Sequence, residues 1–141
     1  MLVSHRIDHD RNVIITTFAP EDVNLKLFID AFSNYQEELK FLPDFQKYHE
    51  LVDFRPITNI NITAQELKEF SNFTLGSDER DEVTKLALLV DSKPAFTLAK
   101  VYEMIRNFSP SSKKQVKVFR EMDDAMEWLA LSENEIEDKP A

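Results

Sequence analysis

Leu86-Ala87-Leu88-Leu89-Val90 is an uninterrupted apolar run in the second half of the chain, and it decides the fold class. A half-buried strand alternates apolar with polar residues, so a run without alternation predicts a strand that is covered on both faces. Strands of this kind are typical of parallel sheets with helices packed on both sides. We therefore expect residues 86–90 to form the central strand of an α/β domain.

Helical patterns surround this run. Pro94 stands near the start of one helix, where its missing backbone donor is harmless, and Thr63 with Glu66 has the capping-box spacing of another. A longer helix is expected from Pro20 to a point before Pro43, with acidic residues in its first turn. The apolar stripes of the four expected helices are Val23, Leu27, Ala31 and Tyr35; Leu67 and Phe70; Leu98, Val101, Ile105 and Phe108; and Met122, Ala125, Met126 and Leu129.

Short segments rich in β-branched and apolar residues predict the other strands. Residues 3–7 and 13–18 flank a stretch with turn-forming Asp and Asn, so they predict an N-terminal hairpin. Further strands are expected at residues 49–54 and 116–119, and a surface loop at residues 72–81. Together these elements predict one α/β domain with a mixed five-stranded sheet and about four helices.

The composition excludes several functional classes. The chain has 141 residues, which suits one domain over residues 1–131 followed by an acidic tail over residues 132–141. It has no cysteine, which excludes thiolate metal sites, and the single glycine, Gly76, excludes glycine-rich phosphate loops. The net charge of -9 argues against nucleic acid as a partner. Because no long apolar run is present, we expect a cytoplasmic protein without a transmembrane segment.

Three stretches carry a resemblance to one protein family. They are Phe41-Leu42-Pro43-Asp44-Phe45 together with LVDFRPIT at residues 51–58, ITAQEL at residues 62–67, and VFREMDDAMEWL at residues 118–129. In order and spacing they resemble the small bacterial SpoIIAA-like proteins, which are related to the sulphate-transporter and anti-sigma-factor-antagonist (STAS) domains. The resemblance implies an open sheet with helices packed on it, and a non-catalytic regulatory or protein-interaction role.

The resemblance draws attention to Thr63. In anti-sigma-factor antagonists an Asp-Ser-Ser-Gly run opens a helix, and its second serine is phosphorylated by a partner kinase. Counted from Asp53, that run falls on Asn61-Ile62-Thr63-Ala64, so only the hydroxyl of Thr63 carries over. Thr63 is therefore either a phosphoacceptor and contact residue or a plain helix N-cap paired with Glu66.

Other polar residues near Thr63 extend this candidate binding surface. Asp53 and Arg55 are two residues apart in an extended segment, so their side chains share a face and either hold each other or bind a polar ligand group. Thr58 and Asn61 follow in the next loop, where open α/β sheets place their ligands. Ordinary turn chemistry is the alternative interpretation of these two residues.

A basic segment is the strongest local charge signal. Residues 106–120 contain five basic side chains and no acidic one, within an acidic protein. They form either an anion-binding site or a solvated loop. The five residues are Arg106, Lys113, Lys114, Lys117 and Arg120.

Two functions stay open. No catalytic constellation or metal-ligand set is visible, so we expect a protein that is not an enzyme and has no metal or cofactor. The first function is a protein-interaction module that acts through residues 53–67, with a homodimer as the expected assembly. The alternative is a carrier or sensor of a small apolar or lipid-like ligand, whose anionic head lies near residues 106–120. The aromatic residues Phe96, Tyr102, Phe108 and Trp128 are interpreted mainly as core.

Overall fold

The computed structural model describes residues 3–39, 47–75, 83–109 and 112–131. Its elements in chain order are β1 Val3–Asp8, β2 Val13–Phe18, β3 Asp22–Asn24, α1 Leu25–Leu39, β4 His49–Asp53, β5 Asn59–Asn61, α2 Ala64–Leu75, β6 Thr84–Leu89, α3 Lys93–Phe108, β7 Lys114–Phe119 and α4 Met122–Ala130. The main sheet has five strands in the order β1-β2-β4-β6-β7. Since β1 and β2 form an antiparallel hairpin and the other neighbours are parallel, the predicted mixed α/β sheet is confirmed.

Helices cover both faces of the main sheet. On one face α4 packs through Ala125 and Leu129 against Leu51 of β4 and its neighbours. On the other face α2 and α3 pack through Leu67 and Ala99, and α1 lies beside them. Every residue of β6 is buried, which confirms the prediction of a strand covered on both faces.

The central strand of the main sheet is β4, and β6 lies next to it. The prediction that residues 86–90 form the central strand is therefore wrong by one strand. The hairpin attaches to β4 rather than to β6, which leaves β6 between β4 and β7. An apolar run reports that a strand is covered on both faces, but it does not report how many strands lie on each side.

The first helix begins later than its apolar spacing predicts. Val23 lies in β3, where it pairs in register with Ile60 of β5 and is 1% exposed. The side chain of Asn24 accepts a hydrogen bond of 2.9 Å from the backbone N–H of Leu27, so Asn24 caps the helix that starts at Leu25. The start predicted at Pro20 is wrong because this cap and the β3–β5 pairing override the four-residue spacing.

Two other helix boundaries also differ from the prediction. Helix α2 continues to Leu75, because Thr74 is buried, donates to the carbonyl of Ser71 and shares a hydrogen bond with Tyr102 of α3. Residues 72–75 are therefore helical rather than loop. Phe108 is 82% exposed, although its spacing predicted a core position. The buried face of α3 follows Ala95, Ala99, Tyr102 and Arg106, since the short alanines let the helix approach the sheet.

Side chains of α3 cover the outer edge of β7. The side-chain amide of Asn107 accepts from the backbone N–H of Val116 and donates to the backbone carbonyl of the same residue, both at 2.9 Å. The carboxylate of Glu103 accepts from the N–H of Val118 at 2.9 Å. These side chains take the hydrogen bonds that another strand would otherwise make at this edge.

Several predicted features fall outside the described residues. They are residues 41–45 of the family resemblance, most of the predicted loop (residues 76–81), and the acidic tail at residues 132–141. Across the described ranges, none of the helices is both long enough and apolar enough to cross a bilayer.

Candidate functional site

A cavity of about 200 Å³ lies between the main sheet and helices α1, α2 and α3. Strand residues that point away from α4 form its floor, and the three helices form its walls. An apolar space of this size between a sheet and its helices, lined by a few polar groups, is the usual form of a small-molecule site.

The cavity is apolar at the carboxyl ends of the parallel strands. Phe18 at the end of β2 and Phe54 just after β4 stack with ring centroids 5.1 Å apart. Phe28 of α1 closes over both rings, at 5.5 Å from Phe18 and 5.8 Å from Phe54. Val90 and Ala95 continue the wall towards α3. This end contributes dispersion contacts but no side-chain hydrogen bonds.

The cavity is polar at the amino ends of the parallel strands. The ammonium group of Lys114 is held by the Glu50 carboxylate and by the Thr84 hydroxyl at 2.8 Å. Tyr35 of α1 also hydrogen-bonds to Glu50, and burial, followed by this carboxylate, raises the pKa of Tyr35 well above its ordinary value. The side chains of Lys114 and Glu50 are 19% and 16% exposed, so the ion pair lies mostly within the protein. Each of these residues lines the cavity.

Arg106 provides a second positive charge at the same end. It is 2% exposed, and its Nη1 donates to the hydroxyls of Tyr102 at 2.7 Å and Thr74 at 3.0 Å. Its Nε donates to Ser112 at 3.3 Å. Because Tyr102 and Thr74 also line the cavity, the buried guanidinium faces it within a fixed set of hydroxyl groups.

His5 connects the sheet edge to α1 beside the polar end. Its Nδ1 lies 2.8 Å from the Thr16 hydroxyl, and its Nε2 lies 3.3 Å from a carboxylate oxygen of Glu38. Its ring meets Tyr35 edge-on at 5.3 Å. Burial lowers the pKa of His5, against the opposing effect of Glu38 and Glu50. His5 therefore takes up a proton less readily in the folded protein than in the unfolded chain.

The predicted pair Asp53 and Arg55 forms an ion pair at the carboxyl end of β4. Nε and Nη2 of Arg55 each donate at 3.0 Å to the carboxylate of Asp53, and the backbone N–H of Arg55 donates there as well. The hydrogen bond to Asp53 raises the pKa of Arg55. Of the two interpretations left open, the structure contains the mutual pair. A ligand role for these residues remains a prediction.

The other residues of the predicted binding surface also have partners within the chain. Thr58 donates to Asp22 at 2.6 Å, and Asn61 accepts from Asn59 at 3.3 Å. Thr63 and Glu66 form the predicted capping box. The N–H of Thr63 donates to the Glu66 carboxylate at 3.0 Å, and the N–H of Glu66 donates to the Thr63 hydroxyl at 3.1 Å. Thr63 is exposed, so its role as phosphoacceptor or contact residue also stays a prediction.

The predicted basic set divides into two groups. Arg106, Lys113 and Lys114 line the cavity at its polar end. Lys117 lies instead over the ring of Phe119 at 5.5 Å, and the guanidinium of Arg120 lies over Phe96 at 4.4 Å. Lys117 also lines a second, shallower pocket together with Arg106 and Lys114. Anion binding by any of the five residues remains a prediction.

Sequence reasoning missed the residues that complete the polar end, namely Tyr35, Glu50 and Thr84. A signal was present in the strands. Glu50 in HELVD and Thr84 in TKLALL are polar residues on the inward-facing positions of strands that are otherwise apolar there. A polar residue at an inward-facing position indicates a buried polar network or a ligand contact.

The protein belongs to the α/β class, because a hairpin is followed by parallel βα units with helices on both faces of an open sheet. The chain has a SpoIIAA-like α/β fold. A similar solved structure is the crystal structure of an uncharacterised protein from Shewanella loihica PV-4, of the DUF3478 family, which also has a SpoIIAA-like fold. The TM-score is 0.55 and the identity 12%, over 90% of this chain and 91% of that one. No family model and no curated protein matches the chain.

Proposed function

We propose that this protein is a carrier or sensor of a small amphipathic molecule, which binds in the cavity between the main sheet and helices α1–α3. The cavity itself is the observation that carries this proposal. Apolar side chains that face an unfilled space lack dispersion contacts on that side, and an apolar group in the space would supply these contacts. A ligand that binds the folded chain in this space and does not bind the unfolded chain also stabilises the fold.

The lining supports binding rather than catalysis. The Glu50 carboxylate is held in place by the Lys114 ammonium, with the Tyr35 hydroxyl as a second partner. A general base needs a carboxylate that is free to accept a proton from a substrate. One polar end and one apolar end are the usual arrangement of a site that orients an amphipathic ligand.

Mass spectrometry of the protein from its own host tests the proposal. We expect additional mass in the native spectrum that disappears on denaturation, and a small molecule in the organic extract. The matched variants are Ala99→Leu, which narrows the cavity, and Ala130→Leu, which places the same group on the exposed side of α4. Ala99→Leu should lose the additional mass and Ala130→Leu should keep it. A bare chain in the native spectrum, with an unchanged melting temperature when decanoic acid is added, would exclude the carrier function.

A protein-interaction function is the second candidate, and the exposed Thr63 at the start of α2 favours it. A phosphate on this hydroxyl would lie at the positive end of the helix dipole, close to backbone N–H donors. Partner capture from lysate by the wild type, Thr63→Ala and Thr63→Glu tests this function. Equal capture by all three proteins would exclude a switch at Thr63.

A further inference from the structure

We propose that the ligand is a single-chain carboxylate of medium length, with its carboxylate at Lys114 and its chain among the phenylalanines at the opposite end. This inference rests on the proposed carrier function and adds the chemical class and the orientation of the ligand. It also assigns Lys114 and Glu50 as the residues that set the preference for an anionic head group.

The strand register fixes the direction of the ligand. Glu50 is opposite Leu86 and Thr84 is opposite Lys114, so the polar groups lie at the amino ends of neighbouring strands. Phe54 follows the last residue of β4, at the carboxyl end. An apolar chain and a polar head can therefore satisfy both ends of the cavity in one orientation only.

Lys114 has donor capacity left for a ligand. An ammonium group carries three N–H donors. In the described part of the chain two of them are taken, by Glu50 and by Thr84. The third N–H of Lys114 can therefore donate to a ligand, since Lys114 lines the cavity. A hydrogen bond from a cation to a carboxylate is roughly twice as strong as one between neutral groups.

The charges around this end favour an anion over a neutral head group. The Lys114 ammonium and the buried guanidinium of Arg106 both line this end, next to the Glu50 carboxylate. A carboxylate that leaves water needs nearby positive charge and hydrogen-bond donors, and the guanidinium of Arg106 adds to the field of Lys114. Glu50 repels the ligand carboxylate and so limits its affinity.

The size of the cavity restricts the length of the ligand. A cavity of about 150 Å³ is known to hold a molecule as small as benzene, and pockets for drug-sized ligands begin at about 300 Å³. At about 200 Å³ this cavity has room for one chain of roughly eight to twelve heavy atoms.

Calorimetric titration of the delipidated full chain at pH 7.5 tests the ligand class. The probes are hexanoate, octanoate, decanoate and dodecanoate, each compared with the alcohol of the same length. Affinity should rise about fourfold for each added methylene, from about 0.8 kcal/mol each, until the cavity is full. Each carboxylate should bind at least tenfold more tightly than its alcohol. Equal binding of the two series would overturn the assignment while leaving the carrier function intact, whereas no binding by either series would overturn both.

Charge variants test the role of the ion pair. Glu50→Gln removes the repelling charge, so decanoate should bind several-fold more tightly and decanol equally well. If Glu50 had a purely structural role, Glu50→Gln would instead change the affinities for decanoate and decanol in the same direction, and that result would count against the proposal. Lys114→Met should lower the affinity for decanoate at least tenfold and change the affinity for decanol little. Lys100→Met breaks an exposed ion pair with Glu103 on α3 and serves as the matched control, with no effect on either ligand.

Lys114→Met leaves Glu50 without its ion-pair partner, and the variant could therefore fail to fold. A double variant keeps the test decisive in that case. Lys114→Met combined with Glu50→Leu removes both charges together, and such replacements are often neutral for stability. This double variant should bind decanoate and decanol equally. A retained preference for decanoate would show that another group holds the carboxylate.

Discussion

Filling the cavity from α1 should stabilise the protein when no ligand is bound. Ala31 is 6% exposed and lines the cavity, so Ala31→Leu extends a side chain into existing space. At about 0.8 kcal/mol for each buried methylene, the added carbon atoms contribute up to about 2 kcal/mol. For a domain of this length that corresponds to a rise in melting temperature of about 6 °C.

Thermal unfolding of delipidated protein, followed by circular dichroism, measures this effect. Ala130→Leu is the control, because it adds the same atoms at an exposed position and should leave the melting temperature within about 1 °C. Inserting carbon atoms into a core without free space costs about 1–3 kcal/mol. A melting temperature of Ala31→Leu below that of the wild type would therefore refute the argument that α1 and the sheet enclose free space.

Three further predictions concern stability and association. Thr63→Ala should lower the free energy of unfolding by about 1 kcal/mol in urea titration, because it removes the capping box, whereas Thr63→Ser should retain most of it. Burial, then Lys85 and Lys114, lowers the pKa of His49, whose Nδ1 accepts from the backbone N–H of Lys85 at 2.9 Å. The unfolded chain therefore binds the proton more readily, and stability should fall as the pH drops below about 6.5. His49→Gln should weaken this dependence between pH 7.5 and 5.5, and His5, whose pKa is also lowered, contributes to the part that remains. Asn107→Ala should uncover the edge of β7 and increase self-association in sedimentation experiments, and unchanged sedimentation would contradict the edge-covering role.

The fold was largely predictable because its strongest signals are local. The apolar run at residues 86–90 reports burial on both faces, and the Thr63–Glu66 box lies within one helical turn, so neither depends on distant contacts. The predicted start of α1 was wrong because it depends on a distant contact. Asp22–Asn24 becomes a strand only because Asn59–Asn61 lies beside it, and that pairing joins segments far apart in the chain.

The candidate site was predictable only in part. The basic residues of its polar end were visible as a charge pattern, but the pattern could not separate Lys114, which lines the cavity, from Lys117, which lies over Phe119. Glu50 is 64 positions from Lys114 in the chain. Their contact depends on the order β4-β6-β7, which no local pattern specifies.

The hydrogen bonds between α3 and the edge of β7 have a consequence for the mechanics of the cavity. Glu103 and Asn107 hold α3 in one position along β7, so α3 cannot slide to admit a larger ligand without breaking them. Accommodation must therefore come from α1 and α2. In hydrogen–deuterium exchange, ligand binding should slow exchange of the α1 amides more than exchange of the α3 and β7 amides. The wall formed by α3 then stays in place and limits the width of the ligand, whereas the wall formed by α1 and α2 adjusts to it.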